Sequence, residues 1–420
     1  MQTLRGVKDI VPGEIEKWQK LYNIAHEILS RANYLEIRTP ILENTELFKR
    51  SIGDSTDIVN KEMYSFEDQG KRNITLRPEG TASIARAFIS NKMYINNNIN
   101  RLWYLGPMFR YERPQKGRQR QFHQLGIECI GSKSPIADIE VIRLAIKILD
   151  KLNIKEYNLE INSIGNLEER TQYQDKLVNY LTKYQHDLDI DSRKRLKINP
   201  IRILDSKSHK TQEILLEAPK LKTFLNKESL NHFNYICDNL KYLNIPYEIN
   251  DTLVRGLDYY NYTAFEIKIN QLGSQNTVCG GGRYDKLIEQ IGGPSTPSVG
   301  WAIGIERLIL IIKNLLNNQI KKPEIYLITE GEIAKQKIWN IIEIIEECKI
   351  SFEMDLNQKN LTKQIKKAST SNAKICCILG DDEIKNNYIT IKWLKTGQQE
   401  QIIFYQFKTY LQYIKNLVFN

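Results

Sequence analysis

The stretch FRYERPQKGRQRQFHQLGIE, residues 109–128, decides how this chain reads. β-rich sequence runs into it from Arg101 to Arg113 and out of it from Arg120 to Ile130, on either side of the polar loop PQKGRQ. That pattern predicts an antiparallel pair. Arg110, Arg113, Lys116, Arg118 and Arg120 fall on the pair and its loop, so positive charge is concentrated on one hairpin. Alternate residues of a strand share a face; Arg110 can therefore point into a cleft while the loop arginines close over a polyphosphate. Taken alone, the segment leaves open a solvated basic hairpin.

Toward the N-terminus, Ile15, Trp18, Leu21, Tyr22, Ala25, Ile28 and Leu29 follow Pro12 at the spacing of an amphipathic helix. An extended piece, LEIRTPIL (35–42), comes next, with Pro40 suited to an edge or bend where no ladder hydrogen bond is needed. Toward the C-terminus, Ile139, Ile142, Ile146 and Leu149 mark another helix and YNLEINS (157–163) a strand. From about Asn166 to Asn244 the sequence turns charged and mostly helical, which predicts a helical domain (166–244) inserted into the β-rich body. Strand-like sequence resumes in YEINDTLVRGLDYY (247–260), with Arg255 expected at a strand end, and in TAFEIKI (263–269). It passes through Gly280, Gly281 and Gly282 and closes on PSVGWAIGIERLILIIKNLL (297–316), a strand running into a helix.

Past a polar break near Lys321, Lys322 and Pro323 the pattern becomes IYLIT (strand), helix, SFEMDL (strand), helix, then AKICCILG, YITIKWL and IIFYQF as strands before a last helix. Such alternation predicts a small α/β domain, residues 324–420, after a body spanning 1–320. From Lys321 to Asn420 there are 15 Lys, 12 acidic residues and no Arg. Codon drift accounts for part of this, yet arginine is the residue whose planar fork best grips phosphate and carboxylate.

The bulk properties agree with a multidomain protein, since 420 residues at roughly 100–200 per domain predict two to four units. A hydrophobic share of 41% with 26% charged residues is ordinary for a soluble protein, and no apolar run approaches the roughly 18 residues of a membrane span. The start, MQTLRGVKDIVPGE, lacks the order of a secretory signal, so a mature protein beginning at or near Met1 is expected. The net charge of +10 would attract a polyanion, although a uniform lysine excess more often only solubilises a surface. Cys129, Cys237, Cys279, Cys348, Cys376 and Cys377 form no CxxC pair, which predicts reduced, mostly buried thiols and no metal site built from protein ligands alone.

FRYERP (109–114) resembles motif 2 of the class II aminoacyl-tRNA synthetases and GWAIGIERL (300–308) their motif 3. Within that class, TLRPEGT (75–81), LVRGLDYY (253–260) and GGGRYD (280–285) together resemble the histidyl-tRNA synthetase family, from LRGVKD at Leu4 to the last α/β domain. RTPILE (38–43) resembles motif 1, whose helix and strand build a homodimer interface in this family. The resemblance implies an α+β fold: a class II antiparallel-sheet catalytic domain with a helical insertion that clasps the acceptor stem, plus an anticodon-binding α/β domain. It also implies ATP with Mg2+ as its counter-ion, L-histidine and histidine tRNA as substrates, no membrane, and work in the cytoplasm or inside an organelle that encodes the chain.

Amino-acid activation forces a carboxylate onto the α-phosphate of ATP, so positive charge must be preorganised. By resemblance, Arg110 grips the α-phosphate and the carboxylate, and Arg307, Arg118 and Glu112 serve the rest of the ATP. Arg255 becomes a second α-phosphate ligand, although a lone Arg before Gly is more often a turn-side surface charge. Glu79, Thr81 and Gln124 would take the α-ammonium group, with Gly80 among the residues that bind histidine. Glu128 and Tyr260 would meet the imidazole nitrogens, with Tyr259 completing the wall; without the motif, both tyrosines would read as core. A buried Glu facing a donor N–H suits the choice of histidine over an apolar isostere.

Gly280 to Gly282 lack the GK[ST] or GxGxxG context of a nucleotide loop, and are expected to let a central strand approach the ligand closely. His123 is expected to be structural. Trp301 and Asn372 depart from the family's usual residues; Asn372 suits a left-handed helix cap. The rivals are a catalytically silent, histidyl-synthetase-like regulatory subunit of ATP phosphoribosyltransferase and a plain RNA-binding protein. The first usually lacks the last domain and degrades LVRGLDYY and motif 2, all intact here.

Overall fold

The apolar stripe after Pro12 forms α1 (Ile15–Arg31), burying Trp18, Leu21, Ala25, Ile28 and Leu29. In the computed structural model, residues 1–53, 56–95, 98–115, 117–271, 276–312, 322–357 and 360–419 are described. Lys116, Lys321 and the end of the predicted helix after Ile312 lie outside them. The chain divides into two units, Met1–Asn317 and Asn318–Asn420.

In the first unit Pro40 splits the predicted extended piece into β1 (Leu35–Glu36) and β2 (Leu42–Asn44), which enter different sheets. After α2 (Thr45–Ile52), β3 (Tyr64–Glu67) and β4 (Asn73–Leu76) join β2 in a three-stranded sheet. α3 (Thr81–Ser90) leads to the hairpin β5 (Asn100–Phe109) and β6 (Gln121–Ile130), antiparallel with Phe109 opposite Gln121. The first strand ends at Phe109, short of the expected Arg113: Arg110, Glu112 and Arg113 lie in the loop, where their charged heads need no ladder partner.

α4 (Pro135–Lys151) and β7 (Asn158–Ser163) precede α5 (Leu167–Thr182), α6 (Ile190–Ile198), the 3-10 turn Pro200–Asp205, α7 (His209–Leu216) and α8 (Lys227–Tyr242). α8 packs through Phe233, Ile236 and Leu240 into the same core as α1 and α4. Only Glu248–Ile249 of YEINDTLVRGLDYY is a strand (β8), so Arg255 is not at a strand end; it lies in the loop leading to β9 (Asn261–Lys268). The β-prone residues there are buried by tertiary contact, Tyr259 and Tyr260 joining a core with Tyr173 and Ile201 of the helical segment.

β10 (Thr277–Arg283), α9 (Leu287–Gln290), β11 (Ser298–Gly304) and α10 (Ile305–Ile312) complete the unit. The large sheet runs β1-β5-β6-β11-β10-β9-β7-β8, antiparallel within and parallel only at its two edge pairs. Trp103, Leu125, Ile127, Trp301 and Phe265 point from one face into the core beneath α1, α4 and α8. The period of two leaves the other face of the same strands for the site. Trp301 is accommodated in the core face by donating its indole N–H to the Val141 carbonyl at 2.7 Å.

The second unit comprises β12 (Ile325–Glu330), α11 (Glu332–Glu347), β13 (Phe352–Met354), α12 (Leu361–Ser371), β14 (Ile375–Gly380), the short α13 (Asp381–Lys385), β15 (Tyr388–Trp393), β16 (Gln399–Ile403) and α14 (Phe404–Ile414). Its sheet runs β13-β12-β14-β15-β16, parallel in the first three strands and antiparallel in the last two. Only Ile402 and Ile403 of IIFYQF are strand: the helix begins at Phe404, because Phe407, Leu411 and Ile414 are buried at helical spacing. Asn372 caps α12 with φ 58° and ψ 27°, the left-handed conformation Asn tolerates. All six cysteines are buried and unbridged.

Candidate active site

On β6 the alternation sets Phe122, Gln124 and Glu128 on one face of the sheet and Leu125 and Ile127 in the core behind it. Above the first face lies an open cleft of about 200 Å³. Its walls include Glu79, Thr81, Arg110, Glu112, Arg118, Gln124, Arg255, Tyr259, Tyr260 and Arg307, drawn from distant segments of the chain. Gly80 and Glu128 do not line it, and Arg113 is exposed. Arg120 lies over the Tyr111 ring at 3.9 Å, outside the cleft lining, so Arg110 and Arg118 are the cations the described hairpin presents there.

At the cationic end, Arg110 donates from Nε to the Pro78 carbonyl at 2.9 Å and stands 5.2 Å above the Phe122 ring, which fixes its direction. Arg118 is ion-paired with Glu112, and Glu112 also lies 3.9 Å from Arg110, so one carboxylate tethers both cations. Arg307 donates to the Gly117 carbonyl at 3.1 Å and to that of Thr277. Burial lowers its pKa and the neighbouring Arg118 and Arg110 add repulsion: the end is short of negative charge. His123 turns away; its N–H and ring both engage Glu306 at 2.9 Å, and its ring meets Trp18 edge-on, a structural place.

Arg255 sits between the two ends. It pairs with Glu266 of β9, which also accepts the Thr277 hydroxyl at 2.9 Å. Glu266 stands opposite Gly280 in register, and a Cβ at Gly280 would collide with the Arg255 guanidinium. The glycine therefore makes room for an arginine, a more specific reason than close ligand approach. Burial is the largest influence and opposes the charge of Arg255, but Glu266 together with Tyr260, Tyr259 and Cys279 holds the pKa above its ordinary value. The Nε of Arg255 and the side-chain oxygen of Gln124 are buried without a hydrogen-bond partner among the described residues. One offers a donor to an anion and the other an acceptor to a cation.

At the inner end Glu79 accepts the backbone N–H groups of Thr81 and Ala82, both at 2.7 Å, at the start of α3, and the Tyr259 hydroxyl reaches it at 3.4 Å. Burial pushes its carboxyl above the usual range against those hydrogen bonds. A Cβ at Gly80 would strike the Tyr104 ring, so Gly80 lets that ring close the floor. Glu128 lies behind, accepting the hydroxyls of Thr81 at 2.8 Å and of Tyr284. Tyr284, Glu266 and Thr277 have no role in the sequence reading. Tyr284 stands inside GGGRYD, and a lone Glu among the apolar residues of TAFEIKI is the signal that could have exposed Glu266.

Burial pushes the Glu128 carboxyl up to about 8, against the hydrogen bonds from Tyr284 and Thr81. With the folded pKa above the ordinary 4.5, the native state keeps a proton that the unfolded chain releases. The resulting stability is fully present below the unfolded value and is lost as pH rises through about 8. Wild-type protein should therefore lose stability from about pH 5 to pH 8 more steeply than Glu128→Gln, which cannot ionise. Urea midpoints at the two pH values check this, and parallel slopes would show that Glu128 is not a buried titrating group.

A family model described as histidyl-tRNA synthetase matches residues 6–308, and one described as an anticodon binding domain matches 324–414. The chain is 62% identical over 417 residues to the chloroplastic histidine–tRNA ligase of Gracilaria tenuistipitata var. liui, covering 99% of this chain and 98% of that one. It is 51% identical to the histidine–tRNA ligase of Cyanothece sp. (strain PCC 7425 / ATCC 29141), covering 95% and 93%. The crystal structure of apo S. aureus histidyl-tRNA synthetase superposes with a TM-score of 0.82 at 36% identity, over 98% of this chain and 100% of that one. With the cleft built as described and identity sustained along the whole length, the chain belongs to the histidyl-tRNA synthetase family.

Proposed function

We propose that the chain is a histidine–tRNA ligase that activates histidine with ATP and passes it to the terminal adenosine of histidine tRNA. The observation that carries this is the meeting, in one cleft, of Arg110, Arg255 and Arg307 with the acceptor end formed by Glu79 and Gln124. A histidine carboxylate oxygen forms a bond to the α-phosphorus of ATP, the bond from that phosphorus to the bridging oxygen breaks, and pyrophosphate leaves with its Mg2+ counter-ion. Arg110 and Arg255 stabilise the charge gathering on the α-phosphate, while Arg118, held by Glu112, and Arg307 face the outgoing phosphates. No covalent enzyme intermediate is required.

Glu79, Thr81 and Gln124 take the ammonium group, with the Gly80 backbone shaping the floor. Tyr260 and Glu128, the latter acting where Thr81 and Tyr284 converge, recognise the imidazole, and Tyr259 walls the pocket. The helical segment 166–244 of the body 1–320 clasps the acceptor stem, and residues 324–420, rich in lysine, take the anticodon arm. Histidine-dependent exchange of pyrophosphate into ATP tests the reading. A silent regulatory subunit or a plain RNA-binding protein would give none. Relatives named chloroplastic support work in the interior of an organelle.

The protein acts as a homodimer through the segment around Pro40. Leu35, Ile41 and Leu42 are exposed beside it on edge strands and their flanks, apolar surface of the kind an isologous two-fold contact covers. Sedimentation at micromolar concentration should give about twice 49.1 kDa. A stable monomer with full charging activity would contradict it.

A further inference from the structure

The loop carrying Arg255, Tyr259 and Tyr260 has no strand ladder of its own. Ile52 takes the Asp258 N–H and Asn162 the Leu253 carbonyl, while the carbonyls of Arg255, Asp258 and Tyr260 are taken up by the helical segment. Arg202, in the 3-10 turn Pro200–Asp205, donates from Nη1 to the Arg255 carbonyl at 3.1 Å. Arg170, on α5, donates to the Tyr260 carbonyl at 2.8 Å and reaches the Asp258 carbonyl at 3.5 Å. Asn199 donates to the Asp258 carboxylate at 2.9 Å. At Gly256 the loop runs close to the helical segment: a Cβ there would stand 3.0 Å from the Arg202 guanidinium, which would have to give way slightly.

The grip is itself anchored. Arg195 of α6 donates to the Arg202 carbonyl at 3.3 Å, and α5 starts with a capping box between Asn166 and Glu169. Glu169 also accepts the Asn226 N–H at 2.6 Å and the Ser229 hydroxyl at 2.8 Å at the start of α8. Burial lowers the pKa of both Arg170 and Arg202. Withdrawing two guanidinium groups from water is costly, and the side-chain hydrogen bonds they make, two from Arg170 and one from Arg202, all go to the backbone of one loop.

We propose that Arg170 and Arg202 are positioning residues for adenylate formation, holding Val254–Tyr260 so that Arg255 meets the α-phosphate. The helical segment is then part of the activation machinery even without RNA. This rests on the reading of the cleft given above. Arg255 is held at both ends, its side chain by Glu266 and its carbonyl by Arg202. Loss of one end lets the guanidinium drift, and a displacement of about 1 Å costs about a hundredfold in rate.

The test uses the full chain without tRNA, reading pyrophosphate exchange per active site counted by adenylate titration. Arg202→Ala should lower kcat about ten- to a hundredfold with the KM for ATP changed less than about twofold, and Arg202→Lys should recover part of the loss. In an Arg255→Ala background, assayed by single turnover, Arg202→Ala should cost less than about twofold further, because nothing is left to position. A structural role predicts a lower melting temperature, a smaller active fraction, wild-type kcat per site and full additivity; that result overturns the proposal. Should Arg202→Ala not fold, Arg170→Lys read in the same way decides. If the wild-type chain itself exchanges nothing with histidine, the reading of the cleft has failed, which is distinct from an active wild type with unaffected variants.

Discussion

Replacing Arg255 by His should slow single-turnover adenylate formation about a hundred- to a thousandfold, while leaving the fold and most histidine and ATP binding in place. The loss corresponds to about 2.7–4 kcal/mol, the scale of one preorganised donor removed from a transition state, with each 1.36 kcal/mol worth about a factor of ten. Arg255 suits that role because its orientation is set before substrate arrives: one nitrogen is spent on Glu266, the Tyr260 ring lies 5.6 Å away, and Gly280 leaves the space open. A fork so held stabilises charge as it redistributes toward the five-coordinate phosphorus and needs no reorganisation at that moment. Imidazole is too short to keep Glu266 and reach the phosphate together.

The fold should survive because Glu266 is part-exposed and keeps the Thr277 hydroxyl at 2.9 Å. Saturating histidine and ATP isolate the chemical step. A near wild-type rate would remove Arg255 from the mechanism and return it to a structural ion pair.

What was legible follows from how far each inference had to reach. Arg110, Gln124 and Arg307 stand in long ordered strings, and strand alternation alone puts Gln124 and Glu128 on one face of β6. Glu266 and Tyr284 depend on partners from other segments: Glu266 faces Gly280 only through the β9–β10 register, and Tyr284 meets Glu128 behind the cleft. Nothing local announces either pairing. LVRGLDYY misleads in the opposite direction, since its apolar and aromatic residues have strand propensity but are buried by packing against the helical segment, not by a ladder. The same competition ends β16 at Ile403, where burial of Phe407 and Leu411 at helical spacing prevails over the β-prone run IIFYQF.

The largest effect on stability should come from Arg283, the residue between the glycine run and Tyr284. Its side chain is 1% exposed and pairs with Asp138 of α4, which is 0% exposed; it also pairs with Asp285 at 3.1 Å and donates to the carbonyls of Ser132 and Ser134. Burial works to raise the Asp138 pKa, but Arg283 and the His232 side chain, 3.6 Å away, hold it below its ordinary value. Asp138 therefore contributes stability above the unfolded carboxylate pKa, and that contribution is lost as pH falls through the lower folded value. Arg283→Met removes the main cation and leaves a buried carboxylate largely uncompensated, a change that costs about 3–5 kcal/mol at neutral pH. In the variant burial prevails and the Asp138 pKa rises, so protonation relieves the defect: the penalty should shrink as pH is lowered from about 8 toward 5. Adding Asp138→Leu should restore part of the stability, because an apolar pair replaces the Arg283–Asp138 charges while Asp285, without its arginine, keeps the Ser298 N–H. Urea midpoints for wild type and the single and double variants at both pH values measure all three effects. A single-variant cost under about 1 kcal/mol, the scale of an exposed pair, would mean that water reaches Asp138 and that the anchor beside Tyr284 is weaker than its burial implies.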